Sequence, residues 1–192
     1  MKIFFDTEFT GLHKDTTLIS IGMVSENNKQ FYAELTDYNE KQCGNWIQEN
    51  VLKHLYTRYP SDVEKAPYIP NLHIGNKHDI GKALEIWLKQ FDTVEFVSDV
   101  NHYDFVLLID IFGNAQYLPK NMCPACYDIN QDIAKKYNIT LKEAFDMSRE
   151  DILYKHYKEN IVKGNRHNSL YDAKVIRELY QILNNVDFNN MK

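Results

Sequence analysis

Residues 2–12, KIFFDTEFTGL, constrain the fold more than any other stretch of the chain. Lys2 to Phe5 has the apolar, aromatic character of a buried strand. At Asp6 and Glu8 the strand turns acidic, and Gly11 follows. Side chains alternate along a strand, so both carboxylates leave one face, about 6.6 Å apart along the backbone. Paired acids at this spacing are common on solvated edge strands. Here "IFF" precedes them and "TGL" follows, which describes the rim of a buried central strand, where a carboxylate is costly without a partner.

The rest of the chain supplies the sheet around that strand. "TLISIGMVSE" reads as a second strand and "KQFYAEL" as a third, with Asn27 and Asn28 suited to the hairpin turn between them. "NWIQENVLKHLY" repeats Trp46, Ile47, Val51, Leu52 and Leu55 at helical spacing, and "DIGKALEIWLKQF" is periodic in the same way. Between them "YPSDVEKAPYIPNLHIGN", with Pro60, Pro67 and Pro70, reads as an irregular loop. "TVEFVS" is a short buried strand, followed by the helix "YDFVLLIDIFG" ending near Gly113. "TLKEAF" and "SREDILYKHY" each open on Thr or Ser with an acid three residues later, the capping-box pattern, and "SLYDAKVIRELYQIL" is the last helix. Three antiparallel strands, then strands alternating with helices, predict a mixed α/β sheet. No repeat, low-complexity tract or linker interrupts it, so residues 1–192 are expected to form one domain.

Composition narrows the function. Twenty-two basic against 27 acidic residues, a net charge of −5, argue against broad coating of nucleic-acid phosphates. They leave room for an enzyme that grips one strand end, because a bound divalent ion reverses the local field. Thirteen Tyr and ten Phe offer either a bulky core or flat stacking surfaces. The run "IFF" falls short of a signal-peptide core of about 7 residues, and nothing approaches the roughly 18 of a membrane span. Three cysteines, an odd count, describe no disulfide scaffold. A reduced cytoplasmic protein without a membrane partner is expected. "CPAC", Cys123 to Cys126, has the spacing of half a zinc site or a redox pair; without a second such pair, packed or loop thiols are the plainer expectation.

Two distant stretches bear on the acids of the first strand. "RHNSLYD" sets His167 five residues before Asp172, at the mouth of the last helix. Five helical residues turn by roughly 500°, so the two converge only if His167 lies on the preceding loop, with Asn168 or Ser169 capping the helix. Taken singly, His167 is a loop histidine and Asp172 a first-turn acid favoured by the helix dipole. In "SDVNHYDFVLLID", Asp104 leads the apolar stripe Phe105, Leu108, Ile109 and Phe112 near the end of the preceding strand. Asp99, at the strand terminus, is the alternative, and Asp110 is expected to face water.

Together these stretches resemble the DEDDh 3′–5′ exonucleases of the RNase H-like (DnaQ-like) superfamily. "DTEFTGL" is similar to their first motif, Asp-x-Glu followed by Thr-Gly-Leu; "NHYDFVLL" resembles the second; "HNSLYDAKVI" matches the third, His-x4-Asp then Ala. "DTEF", "LISIGMV", "FYAEL" and "NWIQENVL" most resemble the compact exoribonucleases of the RNase AS type. Two positions depart: Phe9 stands where Thr usually follows the Glu, and Asn101 lies three rather than four residues before Asp104.

The resemblance implies an RNase H-like α/β fold, a mixed five-stranded sheet with three antiparallel strands first and parallel additions after them, flanked by helices. It also implies a 3′–5′ exoribonuclease that releases nucleoside 5′-monophosphates from single-stranded RNA. The same chemistry on single-stranded DNA, or an idle RNA-binding module, are the alternatives. It implies two Mg²⁺ or Mn²⁺ ions held by Asp6, Glu8, Asp104 and Asp172, with Asp6 shared, and His167 as the general base. Such hard cations suit all-oxygen donors. Without them, each carboxylate pair at 4 Å costs about 4 kcal/mol at an effective dielectric of about 20, unless one is protonated. Phe9, Thr10, Gly11, Leu12 and Tyr103 are expected beside the terminal nucleotide, Phe9 stacking on its base, although the simplest reading of Phe9 and Leu12 is core. The implied partner is single-stranded RNA with a free 3′ end, and a homodimer is a further expectation.

Overall fold

The computed structural model describes residues 1–56 and 69–188. Its first strand, β1 (Lys2–Phe9), lies inside a mixed sheet with β2 (Leu18–Ser25), β3 (Gln30–Leu35), β4 (Leu72–Gly75), β5 (Val94–Ser98) and β6 (Met122–Asp128). The order is β4-β3-β2-β1-β5-β6. β1, β2 and β3 pair antiparallel, while β4, β5 and β6 add in parallel. The β2–β3 hairpin turns where the asparagines predict it, with Asn28 at φ 62°, a left-handed conformation that asparagine tolerates.

The sheet has six strands rather than the expected five. β4 emerges from the stretch read as irregular loop. It is four residues long, pairs only with β3 and is half-exposed throughout, so it carries no alternation to betray it. β6 contains the Cys-Pro-Ala-Cys segment on the opposite edge. Its register against β5 jumps from Val94↔Met122 to Phe96↔Cys126, and this irregularity absorbs Pro124 where no ladder hydrogen bond is needed. Cys43, Cys123 and Cys126 are all free thiols. Residues 57–68, including Pro60 and Pro67, lie outside the described part.

Among the described residues the α-helices are α1 (Asn45–Asn50), α2 (Lys77–Leu88), α3 (Asn101–Ile111), α4 (Asn130–Tyr137), α5 (Leu141–Asp146), α6 (Arg149–Tyr157) and α7 (Ser169–Asn184). They make two layers because β1 is apolar on both faces. Ile3 and Phe5 pack into the core shared with Leu84, Leu88 and Leu108 of α2 and α3. Phe4 points the other way, into the core shared with Ala173, Ile176 and Leu179 of α7. Each such aromatic, fully buried, contributes about 1.5–3 kcal/mol. Thr140 and Glu143 form the predicted reciprocal capping box, and Ser148 accepts from the Asp151 amide.

The first predicted helix region is shorter than its periodicity suggests. "NWIQENVLKHLY" makes α1 and then a single 3₁₀ turn, Leu52–His54. Val51 and Leu52 pack with Ile19 and Cys43, with Ile47 and Leu55 at the margin, while Trp46 turns outward. Among the described residues, no helix is long and apolar enough to cross a membrane.

Candidate active site

The acids of β1 stand where its two helical layers meet. By alternation Asp6 and Glu8 share the α7 side with Phe4, while Thr7 points to the α3 side. Between Glu8 and Phe9 the pairing with β2 slips by one residue, a bulge that re-aims the strand's last side chains.

The α7 layer brings Asp172 and His167. Asn168 caps α7 by accepting from the Tyr171 amide at 3.2 Å, and its amide group donates to the His54 carbonyl. This leaves His167 just outside the helix at φ 64°, with its backbone N–H donating to Asp172 Oδ2 at 2.8 Å. Its Nδ1 lies 3.8 Å from Glu8 Oε1. The convergence therefore requires the loop placement that the five-residue spacing demands. Two features seat the helix end on the sheet. Ser20 and Ser169 hydroxyls meet at 3.0 Å, and at Gly22, opposite Asp6 in the β1–β2 register, a Cβ would lie 2.2 Å from the Leu170 nitrogen.

The α3 layer brings Asp104, fully buried. Thr7 Oγ1 donates to its Oδ1 at 2.6 Å and Ser98 Oγ donates to its Oδ2, so the carboxylate is fixed with lone pairs to spare. Asp99 joins the same cluster and is held by Arg149 Nε at 3.0 Å. Asp110 is exposed and pairs with Lys77.

Two groups of carboxylates result. Ligand oxygens of Asp6, Glu8 and Asp172 lie within 4.8 Å of one another, and so do those of Asp6, Asp99 and Asp104. Asp6 belongs to both. Burial, then the charges of Asp104, Asp172 and Glu8, pushes the Asp6 carboxyl well above its ordinary range. Burial and Asp172 do the same to Glu8. Asp172 rises through burial and the charge of Asp99, against the hydrogen bond from His167. Asp104 is pushed up to about 7 by burial, against the hydroxyl bonds of Ser98 and Thr7. His167 is lowered by burial first and then by Arg166. The two oxygen-only groups, crowded with like charge, fit hard divalent cations.

The expected substrate residues divide. Phe9 stacks on Tyr103, ring centroids 5.1 Å apart and planes 18° apart, and packs against the α3-side core. Leu12 is 78% exposed, which overturns its reading as core. Thr10 is buried instead, donating to Gln42 Oε1 at 2.6 Å and accepting from the Thr17 amide, so its side chain ties the β1–β2 connection. Gly11 is half-buried beside His13.

Sequence reasoning missed Thr7, Ser98, Gly22 and Trp46. Gly22, a glycine inside a strand pattern, did carry a signal of close backbone approach. Trp46 was hidden by its fit to an apolar stripe, yet it meets His167 edge-on with centroids 5.0 Å apart.

Residues 1–183 match the family model of the 3′-5′ exoribonuclease Rv2179c-like domain. The chain belongs to this family. The 3′-5′ exoribonuclease Rv2179c of Mycobacterium tuberculosis is 30% identical over 121 residues, 62% of this chain and 66% of that protein, so the matched part spans just under two thirds of the relative. The nuclease domain of 3′hExo, a DEDDh family member solved bound to rAMP, has a TM-score of 0.60 at 13% identity, covering 96% of this chain and 91% of that one. The Mg²⁺- and Mn²⁺-bound form of S. pombe Pop2p gives 0.57 at 15%, covering 99% and 85%. At those identities the likeness is one of fold, and it is the mixed α/β fold of DEDDh nucleases.

Proposed function

We propose that this member of the Rv2179c-like family is a metal-dependent exonuclease that hydrolyses single-stranded RNA from its 3′ end to nucleoside 5′-monophosphates. The observation that carries the reading is the pair of adjoining carboxylate groups sharing Asp6, with His167 at their rim. Asp6, Glu8 and Asp172 would hold one divalent ion, and Asp6 with Asp104 the second, Asp99 standing close enough to assist. Two such ions, Mg²⁺ or Mn²⁺, supply charge neutralisation for the attacking and leaving oxygens of an in-line displacement.

The protein's own groups do the rest. Burial, and after it the Arg166 charge, lowers the His167 pKa from the ordinary histidine range, which favours the neutral ring that can accept a proton from the attacking water. Its orientation is set by the backbone bond to Asp172 and by Glu8 beside Nδ1. Attack at phosphorus breaks the bond to the 3′ oxygen of the upstream nucleotide, which leaves with a proton as a new 3′ end. The Phe9–Tyr103 pair offers an aromatic wall for the base of the departing nucleotide. RNA is favoured over DNA by the family's description and by the name of the mycobacterial relative. A binding module would have no need of the histidine. Asp6, Glu8, Asp104, His167 and Asp172 all come from one chain, so a second copy is not needed to complete the set. Three free thiols suit a cytoplasmic setting.

The test is purified protein with Mg²⁺ or Mn²⁺ on RNA and DNA of one sequence, each labelled at the 3′ or the 5′ end. The 3′ label should leave at once as a mononucleotide while 5′-labelled RNA shortens stepwise, DNA reacts more slowly, and EDTA stops both. Internal cuts, turnover that survives EDTA, or no turnover of RNA would refute the reading.

A further inference from the structure

Beside α7 the surface closes into a cavity of about 360 Å³ that the proposed chemistry does not use. Three elements wall it. The β2–β3 hairpin contributes Asn28, α7 contributes Lys174, Arg177 and Glu178, and the loop before α7 contributes Ile161, Val162 and Lys163. Arg177 ties the hairpin to the helix, donating from Nε to the Ser25 carbonyl at 3.3 Å and from Nη2 to the Glu26 carbonyl at 2.9 Å. Gly164, at φ 144°, lets the loop close on α7: a Cβ there would lie 2.7 Å from the Tyr171 ring. Lys174 follows Asp172 by two residues, a turn of roughly 200° about the helix axis, so it leaves α7 on a different side from the carboxylate site.

The chain carries a net charge of −5, yet this lining holds three cations against one carboxylate. Glu178 is already committed, accepting from Arg177 Nη1 at 2.6 Å and from the Gln181 amide at 2.7 Å. Two lysines are left over. Lys163 is exposed and donates to the Asn160 carbonyl at 3.0 Å, a neutral acceptor. Lys174 is half-buried and makes no hydrogen bond or ion pair among the described residues, and burial lowers its pKa. An ammonium drawn out of water without an anion is costly, and a second ammonium in the same cavity adds to the cost. A bound anion offsets both. We propose that this cavity is a phosphate-binding site, with Lys174 and Lys163 as its two cationic contacts. A phosphate monoester carries about −1.5 to −2 at neutral pH and three strong acceptor oxygens, enough for both ammonium groups and the Asn28 amide. The cavity also has room for more than the phosphate: its volume falls among small-molecule sites of about 300–1,000 Å³, and Ile161 and Val162 give it an apolar wall. The ligand class is a phosphate borne on a body of nucleotide size, either a free ester or one unit of an RNA strand. The site requires no metal and stands apart from the exoribonuclease reading.

The test is calorimetric titration of the full chain with inorganic phosphate and with a nucleoside 5′-monophosphate, in EDTA so that no metal draws either to the carboxylates. One saturable site per chain is expected, holding the mononucleotide at least as tightly as phosphate. Lys174→Gln should weaken binding about tenfold, Lys163→Gln by a smaller factor, and Lys174→Arg should keep most of it. Without ligand, Lys174→Gln should melt no lower than wild type, because it removes an uncompensated charge. It should lose the rise in melting temperature that phosphate gives the wild type. A short single-stranded oligoribonucleotide is then added, again in EDTA, to the Asp104→Asn variant loaded with phosphate. Displacement of phosphate by the oligonucleotide puts a phosphate of the RNA strand in the cavity, whereas displacement by the mononucleotide alone makes a free ester the ligand. Absence of binding to wild-type protein overturns the inference. So does binding that survives Lys174→Gln and Lys163→Gln together, and so does a Lys174→Gln variant that melts lower yet binds phosphate unchanged, which would make Lys174 a packing stem only.

Discussion

Asp6 and Asp104 carry raised carboxyl pKa values because the fold buries them among like charges, Asp104 to about 7. An acid whose pKa is higher folded than unfolded takes up a proton on folding. Its contribution is fully present below the ordinary carboxylate range and is lost as pH rises through the folded value. In EDTA the melting temperature should therefore fall between about pH 5 and about pH 8, and Mg²⁺ should restore it at the upper pH; a rise over that interval in EDTA would contradict the assignment. Replacing one acid removes the repulsion together with the ligand. Asp6→Asn should abolish turnover and flatten the pH dependence of metal-free melting, measured by calorimetry. His167→Ala should lower kcat by roughly 10²–10⁴-fold, the worth of a positioned base, and keep the rise in melting temperature on adding Mg²⁺.

At the scale of elements, the decisive contact is α7 on β2. Gly22 has no Cβ because the backbone at Ser169 and Leu170 occupies its place, at 2.3 and 2.2 Å. A methyl group there must push the first turn of α7 outward, and that turn carries Asp172 with His167 just before it. Gly22→Ala should cost about 1–3 kcal/mol through overpacking. It should also lower kcat by as much as about 10²-fold, since roughly an ångström of misplacement is enough. Thermal melting and steady-state kinetics check both, and wild-type values for both would show that the helix end can shift freely. The element that escaped detection, β4, shows the converse: it exists through its pairing with β3 alone, a non-local cause that leaves no local pattern.

The whole molecule is acidic, at −5, and would bind a polyanion. At that net charge it is expected to do so locally, through cations held by the carboxylates and the Phe9–Tyr103 wall, rather than by coating the phosphates of a long strand. The logarithm of RNA affinity against that of salt concentration should therefore have a shallow slope, of magnitude about 1–2, since each single-strand phosphate neutralised adds about 0.7. Binding to the Asp104→Asn variant across a salt series measures it, and a slope several times steeper would demand a phosphate track that these charges do not suggest.

Strand period two placed Asp6 and Glu8 on one face, and helix geometry required His167 to precede α7; both follow from local covalent geometry and are legible in the sequence. The capping residues, the hairpin asparagines and the order of the three motifs are local in the same sense. Which middle acid joins the cluster was not. Asp99 and Asp104 are both near the end of β5, and packing brought both to Asp6, one gripped by Arg149 and the other by Thr7 and Ser98. The outward turn of Trp46 and the inward turn of Thr10 were likewise tertiary outcomes. Whether a side chain is covered depends on what the rest of the chain lays against it, and no period along the backbone records that.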